Sequence, residues 1–155
     1  GIDIILNGFS DAPLISANET EPNEITKKAP RITIPAEITG AAASTDTSKL
    51  RVDLGGGFSD KVEDLYRFTL TSSARVYIFL EATSGAGDLD LYLFLSTVNK
   101  KRTSLSDPNL VDVSGSAESS ELIALTQPLP AGTYIIGISA FDGSQGYRLR
   151  VLVLQ

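Results

Sequence analysis

Residues 19–24, Glu-Thr-Glu-Pro-Asn-Glu, hold the best candidate site for metal binding in this sequence. The oxygen donors are the carboxylates of Glu19, Glu21 and Glu24 and the side-chain amide of Asn23. Calcium prefers about six to eight such hard oxygens at about 2.3–2.6 Å, and a loop that is stiffened by a proline can curl around one ion. A solvated acidic linker has the same composition, so both interpretations stay open at this point.

A second pair of carboxylates, Asp88 and Asp90, stands at the start of an apolar run. Paired carboxylates serve as cation ligands or as the acid and base of glycosidases. On one strand, residues i and i+2 share a face and have Cα atoms about 6.6–6.8 Å apart. Aspartates beside a glycine turn also accept backbone N–H bonds. We favour this structural role, with Asp88 bonded in its own turn and Asp90 capping the neighbouring loop.

The composition disfavours nucleophilic catalysis. The 155 residues include no His and no Cys, which removes the commonest general base and any thiolate. A serine–lysine dyad would need Lys61, Lys100 or Lys101, and these lie in polar segments where a lysine stays protonated. The glycines at 55–57 lack the Lys-Ser or Lys-Thr that follows in a phosphate-binding loop. We therefore expect no enzymatic activity.

Tyr77 and Phe79 are the candidates for a ligand-binding aromatic surface. They share one face of a predicted strand, and the apolar residues at 76, 78 and 80 share the other face. The alternative is a strand that is buried on both faces, which places this pair in a core. Four other tyrosines are expected in the core with their hydroxyls at its edge: Tyr66, Tyr92, Tyr134 and Tyr147.

Strands must position all these residues, because polar and apolar residues alternate over short runs and no segment has a helical period. In the central run, residues 85–95, alternate leucines share one face, while Asp90, Tyr92 and Phe94 share the other. Such a strand lies inside a sheet that is covered on both sides. Other strands are predicted at residues 31–35, 37–40, 64–70, 76–80, 110–113, 121–126, 133–141 and 147–154. Loops are predicted at 41–60, which can include a short strand at 50–54, and at 99–107. This pattern predicts an all-β fold, a jelly-roll-like β-sandwich of two antiparallel sheets with about eight strands.

Length and charge limit the domain count and the partners. We expect one β-sandwich domain over residues 18–155, with residues 1–17 as a tether or an extra strand. The net charge of −6 disfavours nucleic acid, because no basic stripe is available. No apolar run approaches the about 20 residues of a membrane helix. No signal peptide is visible, so the sequence is consistent with a fragment of a longer precursor.

Four short motifs follow one another in a fixed order. They are residues 21–24 with the later Ile-Thr-Gly of 38–40, Asp-Leu-Tyr-Arg-Phe at 64–68, Asp-Leu-Asp-Leu-Tyr-Leu at 88–93, and Pro-Ala-Gly-Thr-Tyr at 130–134 with Gly-Tyr-Arg-Leu at 146–149. From about residue 19 to the C-terminus, the chain resembles the bacterial pre-peptidase C-terminal domain family, which includes the collagen-binding domains of clostridial collagenases. The resemblance implies a jelly-roll β-sandwich and a module of a secreted bacterial protein, often appended to a protease.

The resemblance also implies a calcium site. In calcium-binding relatives the acidic segment supplies ligands together with the aspartate that opens the second motif, which corresponds here to Asp64. A further ligand comes from the loop before that motif, where Asp60 is near but out of register and Lys61 is closer to the expected place. In collagen-binding relatives, exposed tyrosines of one sheet contact the polymer.

We expect a non-catalytic accessory module of an exported bacterial protein, secreted, at the cell surface or periplasmic. It would be stabilised by calcium and serve adhesion, substrate targeting or processing. Its partners would be an extracellular polymer or protein and the neighbouring domains of a precursor. The alternative is a carbohydrate- or collagen-type binding module that uses an aromatic sheet face. A small carboxylate-based hydrolase is the least favoured hypothesis.

Overall fold

The computed structural model describes residues 15–18, 29–43, 50–85, 88–99, 101–115, 120–141 and 144–154. Within these ranges the chain forms twelve strands. They are β1 (Ile15–Asn18), β2 (Ala36–Ala43), β3 (Arg51–Gly55), β4 (Phe58–Lys61), β5 (Asp64–Leu70), β6 (Arg75–Gly85), β7 (Asp88–Leu95), β8 (Arg102–Ser104), β9 (Leu110–Gly115), β10 (Ser120–Ala124), β11 (Gly132–Phe141) and β12 (Ser144–Leu154). No helix in the described ranges is long and apolar enough to cross a membrane.

Two sheets form the sandwich. The five-stranded sheet has the order β1-β2-β12-β6-β10, and the four-stranded sheet has the order β5-β11-β7-β9. All pairs in these two sheets are antiparallel except β1 with β2, which is parallel and starts from Ile15 opposite Ala36. The all-β sandwich predicted from the alternating pattern is therefore confirmed.

A third sheet, of three strands in the order β4-β3-β8, was not predicted. A turn at Gly56 and Gly57 joins β3 to β4, and both glycines have positive φ angles (62° and 82°), which residues with a Cβ rarely adopt. β8 pairs in parallel with β3. The predictions of loops over residues 41–60 and 99–107 were thus wrong for β4 and β8. These strands have only four and three residues, too few to show a clear alternation.

The four-stranded sheet is buried on both faces. Its inner face packs against the five-stranded sheet in a core that includes Leu91, Ile136 and Leu149. Its outer face packs against the three-stranded sheet in a second core that includes Tyr92 and Phe94. The prediction of a central strand at residues 88–95 with cover on each side is confirmed, because β7 contributes alternate residues to the two cores.

Candidate metal centre

Acidic side chains gather at one end of the second core, where β4 approaches the outer face of the four-stranded sheet. We use the name carboxylate cluster for Asp60, Glu63, Asp88, Asp90 and Glu121. Asp60 lies at its centre and is buried. Its carboxylate accepts hydrogen bonds from the hydroxyls of Tyr92 at 2.6 Å and Ser139 at 2.5 Å. These two bonds link the three-stranded sheet to β7 and β11.

Asp88, Asp90 and Glu121 form the part of the cluster that suits a metal ion. Each offers a carboxylate oxygen, and these oxygens lie within 4.8 Å of one another. Glu121 is buried and accepts a hydrogen bond from the Ser114 hydroxyl at 2.6 Å, which joins β10 to β9. Oδ1 of Asp88 is buried and has no hydrogen-bond partner among the described residues. Oxygens of this kind are the ligands that calcium and magnesium select.

The turn role predicted for Asp88 and the capping role predicted for Asp90 stay predictions, because residues 86–87 and 116–119 lie outside the described residues. Asp90 lies near Asp60 of the three-stranded sheet, and its strand register pairs it with Gly115 on β9. The local spacing indicated a shared face for the two residues, but it carried no information on what the third sheet would place opposite them.

The cluster favours protonated carboxyl groups when no cation is present. Burial raises the pKa of Asp90, and the nearby Asp60 raises it further by repulsion and by a hydrogen bond. Burial, then repulsion from Glu121 and Asp60, raises the pKa of Asp88. Burial raises the pKa of Glu63 to about 7, against the lowering effect of a hydrogen bond from the Ala140 N–H at 2.9 Å. The cluster can therefore share protons or hold a hard cation.

Glu63 and Glu121 were missed by the sequence reasoning. Glu121 lies two residues before Ile123, so both side chains point to the inner face of β10. An acidic residue at a position where the strand pattern expects an apolar one was the signal that could have identified Glu121. Glu63 precedes the first residue of β5 and is 2% exposed. Nothing in its local sequence distinguishes it from a solvated loop residue.

Asp64, the ligand implied by the family resemblance, lies on the other side of the four-stranded sheet. It is fully buried in the first core and accepts a hydrogen bond from the Tyr147 hydroxyl at 2.7 Å. The Tyr147 and Tyr66 hydroxyls are in turn 2.6 Å apart. Asp60 faces the second core instead, so the sheet separates the two aspartates. The ligands Glu19, Glu21, Asn23 and Glu24 lie outside the described residues, so this ligand set stays a prediction.

Tyr77 and Phe79 lie on the outer face of the five-stranded sheet, and both are half-buried. Phe79 pairs with the exposed Leu122 on β10 and with Arg150 on β12. Phe79 and Leu122 line a shallow cavity of about 250 Å³, together with Leu80, Glu81, Ser120 and Glu121. This face combines aromatic, apolar and charged side chains, as polymer-binding surfaces do.

The comparisons with known proteins agree with this architecture. The sequence profile described as the bacterial pre-peptidase C-terminal domain matches residues 62–140. The chain belongs to this family, whose members are non-catalytic domains of longer precursors. None of the curated proteins compared with the chain matches it.

Two solved structures are similar to the chain. One is the pre-peptidase C-terminal domain of the collagenase from Bacillus anthracis, with 18% identity, a TM-score of 0.55 and coverage of 86% of this chain and 99% of that chain. It shares the fold. The other is Aeromonas hydrophila PliG, a periplasmic lysozyme inhibitor of g-type lysozyme, with 10% identity, a TM-score of 0.40 and coverage of 90% and 95%.

Proposed function

We propose that this domain is an accessory module of an exported bacterial protein, and that it supports adhesion, substrate targeting or processing rather than catalysis. The observation that carries the proposal is the match of residues 62–140 to the family of pre-peptidase C-terminal domains. The module would act outside the cytoplasm, secreted, at the cell surface or in the periplasm. Its partners would be an extracellular polymer or protein and the adjoining domains of its precursor.

The hydrogen bonding of the carboxylates supports a non-catalytic role. A general acid or base must reach the proton that it transfers. Asp60 is instead buried between sheets with Tyr92 and Ser139 as partners. Asp64 is buried with Tyr147. These groups join strands that are distant in sequence, as structural hydrogen bonds do.

Calcium is the cofactor that we propose for stability. The donor chemistry fits, because the carboxylate cluster presents hard oxygens and no described residue donates a hydrogen bond to Oδ1 of Asp88. Asp88, Asp90 and Glu121 would hold an ion there. The family resemblance favours instead the set of Asp64 with Glu19, Glu21, Asn23 and Glu24. Bound calcium would neutralise repelling carboxylates and so stabilise the native state.

Thermal unfolding with calcium and with excess chelator tests the cofactor proposal. A ligand that binds only the native state stabilises it by about 2.7 kcal/mol at a hundredfold excess over its Kd. We expect a higher midpoint with calcium. Equal midpoints in calcium and chelator would refute the proposal.

Two variants locate the ion. Asp88→Asn removes one charge from the carboxylate cluster, and Asp64→Asn removes one from the family's predicted ligand set. The variant whose midpoint stops responding to calcium identifies the ligand set, while the other keeps the response. If both respond like the wild type, neither set binds the ion.

A second candidate function is polymer binding through the outer face of the five-stranded sheet. The supporting observation is the group of Phe79 and exposed Leu122 that lines a shallow cavity, with Tyr77 on the same face. Aromatic side chains at the centre of an interface commonly contribute most of its binding energy. Retention on insoluble collagen, cellulose and chitin tests this role. We expect Phe79→Ala to lower retention, and no retention of the wild type on any of the three would refute it.

A further inference from the structure

We propose that the turn end of the three-stranded sheet docks on an anionic membrane surface. This surface uses no residue of the carboxylate cluster or of the outer face of the five-stranded sheet, so the inference does not rest on the calcium or polymer proposals. It rests on two features of the same small sheet, an exposed apolar tip and a row of cations behind it.

The apolar tip consists of Leu54, Phe58 and Leu105. Phe58 follows the Gly56-Gly57 turn, pairs with Gly55 and is 74% exposed. Leu54 lies on the adjoining end of β3, and Leu105 follows β8, where its N–H donates to the Asp53 carbonyl oxygen. All three are exposed, and they are three of the five large apolar side chains exposed in the described ranges. Exposed apolar groups that gather in one place mark an interaction surface.

The cation row crosses the same sheet. Strand register pairs Lys61 with Arg51 and Arg51 with Arg102, so the three residues stand side by side on the face opposite buried Val52. Arg102 is exposed, whereas Lys61 and Arg51 are half-buried and Nη1 of Arg51 is fully buried. Lys101 is exposed just before β8. Like charges on directly opposed positions destabilise a sheet, and an anionic surface relieves this repulsion. The chain as a whole carries a net charge of −6, which makes this local excess of cations notable.

Acidic groups near the tip are fewer and are held by neighbours. Asp53 lies on the same face as the cation row, and its Oδ1 accepts a hydrogen bond from the Gly55 N–H at 3.0 Å. Asp107 accepts hydrogen bonds from Thr103 and Asn109. Of the other nearby carboxylates, Asp60 of β4 is buried on the face of Val52, and Glu63 lies close to Lys61. The exposed cations Lys101 and Arg102 therefore carry the local positive charge.

The spacing of the two features fits a lipid bilayer. Phe58 and Lys61 are three residues apart on β4, which corresponds to about 10 Å along an extended strand. Apolar groups of peripheral proteins enter the boundary between headgroups and acyl chains by about 5–10 Å. When Phe58 enters this boundary, exposed Arg102 of the cation row reaches the level of the lipid phosphates. A projecting side chain needs no shaped pocket in a fluid apolar phase, whereas a folded protein partner must supply one.

Cosedimentation with lipid vesicles in excess chelator tests the proposal, since the chelator removes any bridging by calcium. Vesicles of phosphatidylcholine with phosphatidylglycerol are compared with vesicles of phosphatidylcholine alone. We expect binding to the anionic vesicles, weakened by added salt because salt screens exposed charges. No binding at low salt, or equal binding to both kinds of vesicle, would overturn the proposal.

Matched variants assign the contact to this surface. Arg102→Gln should weaken vesicle binding about fivefold, whereas Arg31→Gln, an exposed residue outside the three strands, should leave it unchanged. Phe58→Ser should weaken binding about tenfold or more. Because Phe58 is so exposed, the variant should keep its unfolding midpoint. The proposal would be overturned if the Arg102→Gln and Phe58→Ser variants both bound anionic vesicles as tightly as the wild type does.

The absence of tryptophan from the chain allows a direct measurement of insertion. Phe58→Trp introduces a single reporter at the tip, and we expect its emission to shift to shorter wavelength when anionic vesicles are added. Leu122→Trp places the same reporter on the five-stranded sheet and should show no shift. A shift at residue 122 without one at residue 58 would contradict the proposed orientation.

Discussion

Glu63→Gln should change how the stability of this domain depends on pH. Burial raises the pKa of Glu63 from 4.5 to about 7 in the folded state. Between these values the folded protein holds a proton that the unfolded chain releases. The free energy of unfolding therefore falls as the pH rises through this window. At 1.36 kcal/mol for each pKa unit, the loss contributed by Glu63 is about 3 kcal/mol.

The variant removes this contribution, because glutamine stays neutral at every pH while its oxygen can still accept the bond from Ala140. Urea unfolding, followed by circular dichroism in excess chelator, measures both proteins below pH 4.5 and above pH 7. We expect the stability of the wild type relative to Glu63→Gln to fall by about 3 kcal/mol across this range. Titrating groups outside the carboxylate cluster occur in both proteins and cancel in the difference.

Glu81→Gln is the matched control, since this side chain is exposed and forms a long ion pair of 4.0 Å with Arg148. It should give a curve parallel to that of the wild type. The reasoning would be refuted if the difference between the wild type and Glu63→Gln did not vary with pH.

Two further substitutions test the packing of the sandwich. Tyr147→Phe removes the hydroxyl that donates to buried Asp64, so we expect the free energy of unfolding, measured with urea, to fall by about 1.5–3 kcal/mol. In the control Tyr134→Phe, the lost hydroxyl donates to a backbone carbonyl at the sheet edge, so the free energy of unfolding should fall by less. Equal losses in the two variants would contradict the role of Asp64. Gly137→Ala would place a Cβ 2.8 Å from a methyl carbon of Val62, so we expect overpacking to lower the free energy of unfolding by about 1–3 kcal/mol. An unchanged denaturant midpoint would show that the second core tolerates the added volume.

Part of the candidate site was visible in the sequence. Asp88 and Asp90 were recognised as carboxylates that share one face of a strand, and β7 confirms that placement. The alternation of Tyr92 and Phe94 with leucines likewise predicted a strand covered on both faces. These predictions succeeded because the direction of a side chain along a strand depends only on its position within that strand.

The sequence by itself determined the all-β class, the two-sided central strand and the lack of histidine and cysteine chemistry. Only the tertiary structure decided that a third sheet covers the outer face of the four-stranded sheet and that Asp60, Asp90 and Glu121 meet at its end. It also separated Asp60 from Asp64 by placing them in different cores. The physical reason is that alternation is local, whereas register and burial depend on which distant strands pair and pack. Residues 60 and 121 both approach Asp90 only when the sheets that contain β4 and β10 pack on opposite faces of the four-stranded sheet.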